Sequence, residues 1–301
     1  MILNNAEILR FLSDSTHEYG ITGKNNLEYI GLTITDKINT SAKIYLCNRD
    51  NKSKLPDWAD TFWEKYYKKL SQILDMEICD TSESISDQIL TYRMIVKLKN
   101  QIQNSQIKEI SDYFAGTVGE KELERFLNFN NLVTEYNNIN LSPLIQIGIE
   151  TSQDFRYLSF KYYMTIKTKL SENPVVSADT IQMLLNIGSE QNVKSTFEES
   201  LLYNIEKSDY YPTFVGINDN GNTVENKLYY ITKLYGRNLI QKAEAQTRSL
   251  CDALGLDNNL KTTITKAYTE NGLYLEGLAV STTNPDSIRI YLTEIAGKLN
   301  I

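Results

Sequence analysis

A cation followed two positions later by a tyrosine, set in an apolar run, recurs along this chain. It appears as Lys43-Ile44-Tyr45, Lys161-Tyr162-Tyr163, Lys227-Leu228-Tyr229 and Arg289-Ile290-Tyr291. A fifth segment, Arg93-Met94-Ile95-Val96-Lys97-Leu98-Lys99, is a variant with cations and no tyrosine. Side chains two apart on a strand share a face. Read as strands, these segments each lay ammonium or guanidinium groups and phenol rings along one wall. The intervening residues form an apolar second face: Ile44 and Leu46; Met94, Val96 and Leu98; Tyr162 and Met164; Leu228 and Tyr230; Ile288, Ile290 and Leu292. That face must be covered by helices. The polar face of such an antiparallel sheet either lies in solvent or is enclosed when the sheet curls into a barrel. Ten strands would close around a lumen wider than that of an eight-stranded barrel.

Five hairpins fit this reading: Leu27 to Leu46, Ile85 to Lys99, Pro143 to Lys167, Thr213 to Lys233 and Tyr274 to Thr293. Turn signals stand at Asp36 to Ser41, at Asp219-Asn220-Gly221-Asn222 and at Asn284-Pro285-Asp286. Helical patterns lie between the hairpins. Pro56 to Ile78 has Trp58, Phe62, Tyr66, Leu70 and Leu74 at helical spacing, which reads as a core face. Glu109 to Asn137 reads as two helices broken near Gly116 to Gly119. Ala178 to Gly188 pairs with Thr196 to Glu206, and Leu234 to Leu254 with Asn258 to Asn271, divided at Gly255. Asn5 to Glu18 precedes the first hairpin as a helix and lacks the basic start and cleavage site of a signal peptide. The cation–tyrosine strands recur at roughly 50–65 residues, an internal structural repeat. No Pro/Gly/Ser linker interrupts residues 1–301, which reads as a single α+β domain.

Bulk properties narrow the function classes. A net charge of −7 gives no overall basic field for nucleic acid or anionic lipid, so any phosphate must be met by local cations. No apolar run approaches the ~20 residues of a spanning helix. The cysteines Cys47, Cys79 and Cys251 form neither a CxxC nor a disulfide framework, which points to a reducing cytoplasm.

A ring of antiparallel hairpins, each followed by helices, with basic–x–Tyr on its strands, resembles the aromatic prenyltransferases of the ABBA barrel type over about Leu27 to Thr293. The strands Asn226-Lys-Leu-Tyr-Tyr and Ile288-Arg-Ile-Tyr-Leu are similar to strands of the cyanobactin peptide prenyltransferases, which modify ribosomal peptides. The second repeat departs from the motif by lacking its tyrosine. The resemblance implies a ten-stranded barrel of five ββ hairpins surrounded by helices. It also implies transfer of a dimethylallyl or geranyl group from an allylic diphosphate to a small aromatic molecule or an electron-rich peptide side chain. The leaving diphosphate needs fixed cations. Lys43, Arg93, Lys97, Lys161, Lys227 and Arg289 are the candidates. An allylic cation needs ring faces and shelter from water, for which Tyr45, Tyr163, Tyr229 and Tyr291 are the candidates. Glu28 is similar in position to the carboxylate that takes the acceptor's proton, with Glu150 and Glu276 at comparable places in later hairpins.

Other chemistries find little footing. There is no DDxxD magnesium clamp, and Gly23-Lys24 lacks a surrounding P-loop. No tightly bound cofactor is expected, and magnesium only in company with the diphosphate. His17 is the only histidine, which disfavours zinc and a Ser-His-Asp triad. Gly216 and Gly221 read as turn or bulge glycines. The rival reading is a non-catalytic binding or structural protein whose open Lys/Tyr sheet face meets a partner. A barrel enzyme with altered donor chemistry is the third.

Overall fold

The apolar faces of the motif strands are buried along their length. Ile44, Met94, Val96, Leu98, Tyr162, Met164, Leu228, Tyr230, Ile290 and Leu292 are each at most 5 % exposed. A computed structural model shows the chain and describes residues 27–35, 38–47, 57–86, 89–138, 144–155, 158–165, 210–219, 224–232, 237–271, 273–281 and 287–294. The expected helices before residue 27 and over 178–206, His17, Lys24 and Gly221 lie outside the described residues.

Ten strands close into one antiparallel barrel in chain order, so the sheet has no edge. They are β1 (Leu27–Thr35), β2 (Ile38–Cys47), β3 (Met76–Ser86), β4 (Ile89–Leu98), β5 (Ile145–Ser152), β6 (Leu158–Thr165), β7 (Tyr210–Asp219), β8 (Val224–Thr232), β9 (Leu273–Ser281) and β10 (Ser287–Glu294). Closure is made by β10 against β1, with Gly31 opposite Tyr291 and Thr33 opposite Arg289. The architecture is thus the expected α+β barrel of five hairpins.

Helices follow the hairpins and cover the outer face. α1 (Asp57–Phe62) passes through a π-helical turn, Trp63–Tyr67, into α2 (Lys68–Ile73). The wider turn shifts the helical phase, and the adjacent Tyr66 and Tyr67 are both buried. Tyr67 donates to the Met94 carbonyl of the barrel wall at 2.9 Å. α3 (Asn104–Thr117) and α4 (Glu120–Asn138) are separated at Val118 and Gly119, the latter at φ 109°. Phe114 stacks on Phe126 at 5.1 Å and meets Phe160 of β6 edge-on at 5.3 Å, which binds both helices to the wall. α5 (Arg237–Ala253) ends at Gly255, whose φ of 61° belongs to the left-handed region that closes helices, with Leu256 N–H donating back to the Cys251 carbonyl at 3.2 Å. α6 (Asn258–Asn271) buries Leu260 and Ile264. No helix among the described residues is long and apolar enough to cross a membrane.

Two expectations need correction. The helix read as Pro56 to Ile78 ends at Ile73, because Leu74 is extended (φ −113°, ψ 136°) and β3 begins at Met76. Met76 and Ile78 prolong an apolar pattern that serves helix and strand alike, so spacing could not divide them. The second hairpin is therefore Met76 to Leu98, much longer than Ile85 to Lys99. Gly216 is neither a turn nor a bulge residue; it lies inside β7, in register opposite Lys227 and Tyr163.

The closest backbone approach in the wall lies at Gly277, where an added Cβ would meet the Tyr230 carbonyl oxygen at 2.5 Å. Gly277→Ala is expected to destabilise the fold by about 2–3 kcal/mol, the cost of forced overpacking. Gly116 of α3 has open space around an added Cβ, so Gly116→Ala should stabilise by about 0.5–1 kcal/mol. Urea denaturation of both variants with unchanged m-values checks the pair of opposite signs.

Candidate active site in the barrel lumen

The polar face is enclosed, not open. A chamber of about 550 Å³ occupies the lumen. Arg93, Lys161, Lys227 and Arg289 line it, together with Tyr45, Tyr163, Tyr229 and Tyr291. These eight residues come from β2, β4, β6, β8 and β10, the second strands of the five hairpins. Strand alternation aims them inward while their apolar neighbours face the helices. An open Lys/Tyr sheet surface is not compatible with this closure.

Three expected residues stand apart. Lys43 is not among the residues lining the chamber; its ammonium meets the Glu150 carboxylate behind Lys161. Lys97 lies away from the chamber, 37 % exposed and 3.6 Å from Glu77. Glu28 belongs to β1, at a bulge where Leu27 pairs with Leu46 and Tyr29 with Tyr45; its side chain lies outside the described residues.

Residues not singled out from the sequence complete the wall. Tyr29, Cys79, Asp80, Gln146 and Phe214 line the chamber, as does Glu276, which was named there only as a rival base. One sequence signal for the lumen was available. The first strand of a hairpin carries a glycine opposite the cation of the second: Gly31 opposite Lys43, Gly148 opposite Lys161 and Gly216 opposite Lys227. The tyrosine two residues on leans over this gap. A Cβ at Gly216 would stand 2.9 Å from Tyr229 Cε2 and 3.1 Å from Tyr163 Cδ1. One at Gly148 would stand 3.3 Å from Tyr163 Cε2.

The rings fall into two groups. Tyr163, Tyr229, Tyr291 and Tyr29 form an unbroken series, with successive centroids 5.9, 6.3 and 6.2 Å apart. Burial pushes the Tyr163 and Tyr291 phenols up, so both are held protonated. Tyr45 is different. The Arg93 guanidinium carbon lies 4.9 Å from its ring centroid and the Lys43 ammonium 5.4 Å. Burial alone would raise the Tyr45 phenol; the charges of Lys43, Arg289 and Lys161 outweigh it and bring it below the ordinary value.

Carboxylates anchor the cations. Arg93 donates from Nη2 to Asp80 at 2.9 Å and from Nε to Ser82 at 2.8 Å. Arg289 donates to Thr33 Oγ1 at 3.1 Å. Glu150, 4 % exposed, accepts from Lys161 at 2.5 Å, from Thr91 at 3.0 Å and from Lys43. Burial opposes charge on Glu150, but Lys161 and Lys43 hold it well below the usual carboxylate range. Burial also works against Lys161, where Glu150 wins and the pKa rises, and against Lys43, where burial wins and the pKa falls.

Among the described residues no three His, Cys, Asp or Glu side chains converge as a metal site. Asp80 is engaged by Arg93, so the lining set suits an anion better than a divalent cation. A chamber of this kind can neutralise a polyanionic head while presenting ring faces to an apolar or cationic fragment.

No family model matches this chain. No curated protein matches it either. Among solved structures it is similar to the crystal structure of NotF in complex with brevianamide F and DMSPP, at 12 % identity and a TM-score of 0.49, over 88 % of this chain and 79 % of that one.

The pKa directions give a signed expectation. A depressed carboxylate contributes stability above its unfolded value, near 4.5 for Glu150, and loses it as pH falls through the folded value. A raised lysine contributes below its unfolded value near 10.5 and loses that contribution as pH rises through the folded value. Unfolding free energy should therefore fall on the acid side in the wild type. The Glu150→Gln profile, measured by urea titration from pH 3 to pH 8, should be flatter there.

Proposed function

We propose that this protein is an aromatic prenyltransferase of the ABBA type. It would move a dimethylallyl or geranyl group from an allylic diphosphate to a small aromatic molecule or an electron-rich peptide side chain, as a cytoplasmic enzyme. The observation that carries this reading is the sharing of one enclosed lumen by fixed cations and a series of phenol rings.

In this reading the C1–O bond of the donor breaks heterolytically and the diphosphate leaves with the electron pair. Lys161, Lys227, Arg93 and Arg289 would meet the growing negative charge with charge-assisted hydrogen bonds. Lys43 would act from behind Lys161 and Lys97 from a distance. The allylic cation would rest against Tyr163, Tyr229 and Tyr291, with Tyr29 as a fourth face, sheltered from water. Tyr45, already engaged by Arg93 and Lys43, would support the cations more than the allyl group. The acceptor's electron pair then forms the new bond, and its proton passes to a carboxylate of the wall, Glu28 or Glu276. Magnesium is assigned no step; it would travel with the diphosphate oxygens.

Incubation with dimethylallyl diphosphate and a panel of aromatic molecules and short Tyr- or Trp-containing peptides tests the reading. A prenylated product with stoichiometric diphosphate is expected. The absence of both product and diphosphate binding across the panel would end it. Lys227→Ala should raise the donor KM about 10- to 100-fold, the worth of one hydrogen bond to a charged group, without unfolding the protein. Tyr229→Ala should slow transfer about 5- to 30-fold, the worth of one desolvated cation–π contact, and divert donor to the free alcohol.

A further inference from the structure

We propose that Glu150 is a positioning residue, holding the ammonium groups of Lys43 and Lys161 as a pair so that Lys161 meets an incoming diphosphate charged and aimed. This rests on the proposed function for the identity of the anion, but the hold on Lys161 is independent of it.

Geometry carries the inference. Lys161 belongs to β6, beside Glu150 on β5, whereas Lys43 belongs to β2, three strands away around the barrel. The ion pair between Lys43 and Glu150 therefore crosses the lumen as a chord and does not run along its wall. Glu150 Oε2 takes Lys161 at 2.5 Å. Oε1 takes Lys43, Thr91 at 3.0 Å and Ser84 at 3.5 Å, and Ser84 is joined to Thr91 at 2.6 Å. A carboxylate offers about four acceptor sites, and since the Ser84–Thr91 bond uses one of the two hydroxyl protons, the two ammonium groups and one hydroxyl fill three of them. Such a carboxylate is a fixed anion and a poor proton acceptor.

The electrostatics agree. Lys43, Tyr45, Arg93, Lys161 and Arg289 face this region from β2, β4, β6 and β10. Two buried ammonium groups repel each other, and burial already lowers Lys43 with Glu150 in place. Removing one partner of a buried ion pair leaves an uncompensated charge. Without Glu150, Lys161 would lose its tether and the carboxylate that favours its charge, leaving burial and Arg289 to draw its proton off. Counting charges alone gives the opposite forecast, since Glu150→Gln adds a net positive charge and should tighten anion binding.

The experiment exploits that difference of sign. Lysine acetylation by acetic anhydride is followed by mass spectrometry at pH 8 in the full chain, wild type and Glu150→Gln. Inorganic diphosphate binding is measured on both by calorimetry. The expected result is about tenfold faster labelling of Lys161 in the variant, the change in neutral fraction from one pKa unit, with diphosphate binding weakened about tenfold. Unchanged Lys161 labelling, or equal or tighter diphosphate binding, overturns the proposal. Should Glu150→Gln not fold, the charge-balanced Glu150→Gln/Lys43→Gln variant gives the same reading at Lys161. If the wild type binds no diphosphate, the assigned function and the diphosphate half of this proposal fall, while the labelling still judges the hold on Lys161.

Discussion

Five cations from five different strands, Lys43, Arg93, Lys161, Lys227 and Arg289, share one lumen, and keeping them charged away from bulk water shapes the barrel around them. Burying an ion costs several kcal/mol unless partners compensate. Arg93 has Asp80 and Ser82, Arg289 has Thr33, and Lys43 and Lys161 divide Glu150. These partners sit on neighbouring strands or across the lumen, so strand pairing and charge pairing reinforce each other. Among the described residues the carboxylates Asp80 and Glu276 line the chamber, and Glu150 meets Lys43 and Lys161. Cations gathered from separate strands are how a protein of net charge −7 can still present a basic lumen.

The tyrosines divide between two tasks for a steric reason. Tyr45 lends its face to the resident cations Arg93 and Lys43. The series from Tyr163 to Tyr29 meets edge-on, then stacked, then edge-on, with Tyr163 and Tyr229 leaning over Gly148 and Gly216. Each glycine lowers the wall by one side chain, and the neighbouring ring fills the space. The lumen is lined by flat faces because small and large residues alternate across paired strands, as the taper of a barrel demands.

The legibility of this molecule in its sequence followed the period of each element. Strands covered on one face only, such as Ile288 to Leu292, alternate cleanly and were readable with their inward residues. The breaks at Gly119 and Gly255 were readable because a positive φ calls for glycine. β3 was not, since Ile78 continues the four-residue spacing of Leu70 and Leu74 although the strand has already begun at Met76. Within the site, the cation–x–Tyr motif led to three lining cations and four rings, and its tyrosine-free variant to Arg93. It overreached at Lys97, because parity gives the face of a strand but not the height along it; Lys97 shares a face with Arg93 yet ends beyond the chamber beside Glu77. Tyr29 was missed because it sits on a first strand, outside the motif. Glu150's two-lysine grip was invisible because Lys43 and Glu150 are 107 residues apart.

The order of the motif gives the lumen a direction. On β2, β6, β8 and β10 the cation comes before the tyrosine, so it lies nearer the hairpin turn and the ring nearer the strand's far end, while β4 carries Arg93 without the motif's tyrosine. The Glu150 chord joins Lys43 and Lys161 at the cation level. The bulges of β1 and β9 fall at the ring level, where the strands flank β10 on either side. Those bulges hold Glu28 and Glu276, and a bulge is a device for re-aiming a side chain at a barrel rim. The lumen therefore has a cation end and a ring end. Glu276 lines the chamber at the ring level. The strand period sets this separation: a cation and a ring two residues apart share one face but stand roughly 6.6 Å apart along the strand, so charge and ring faces occupy different levels of the same lumen.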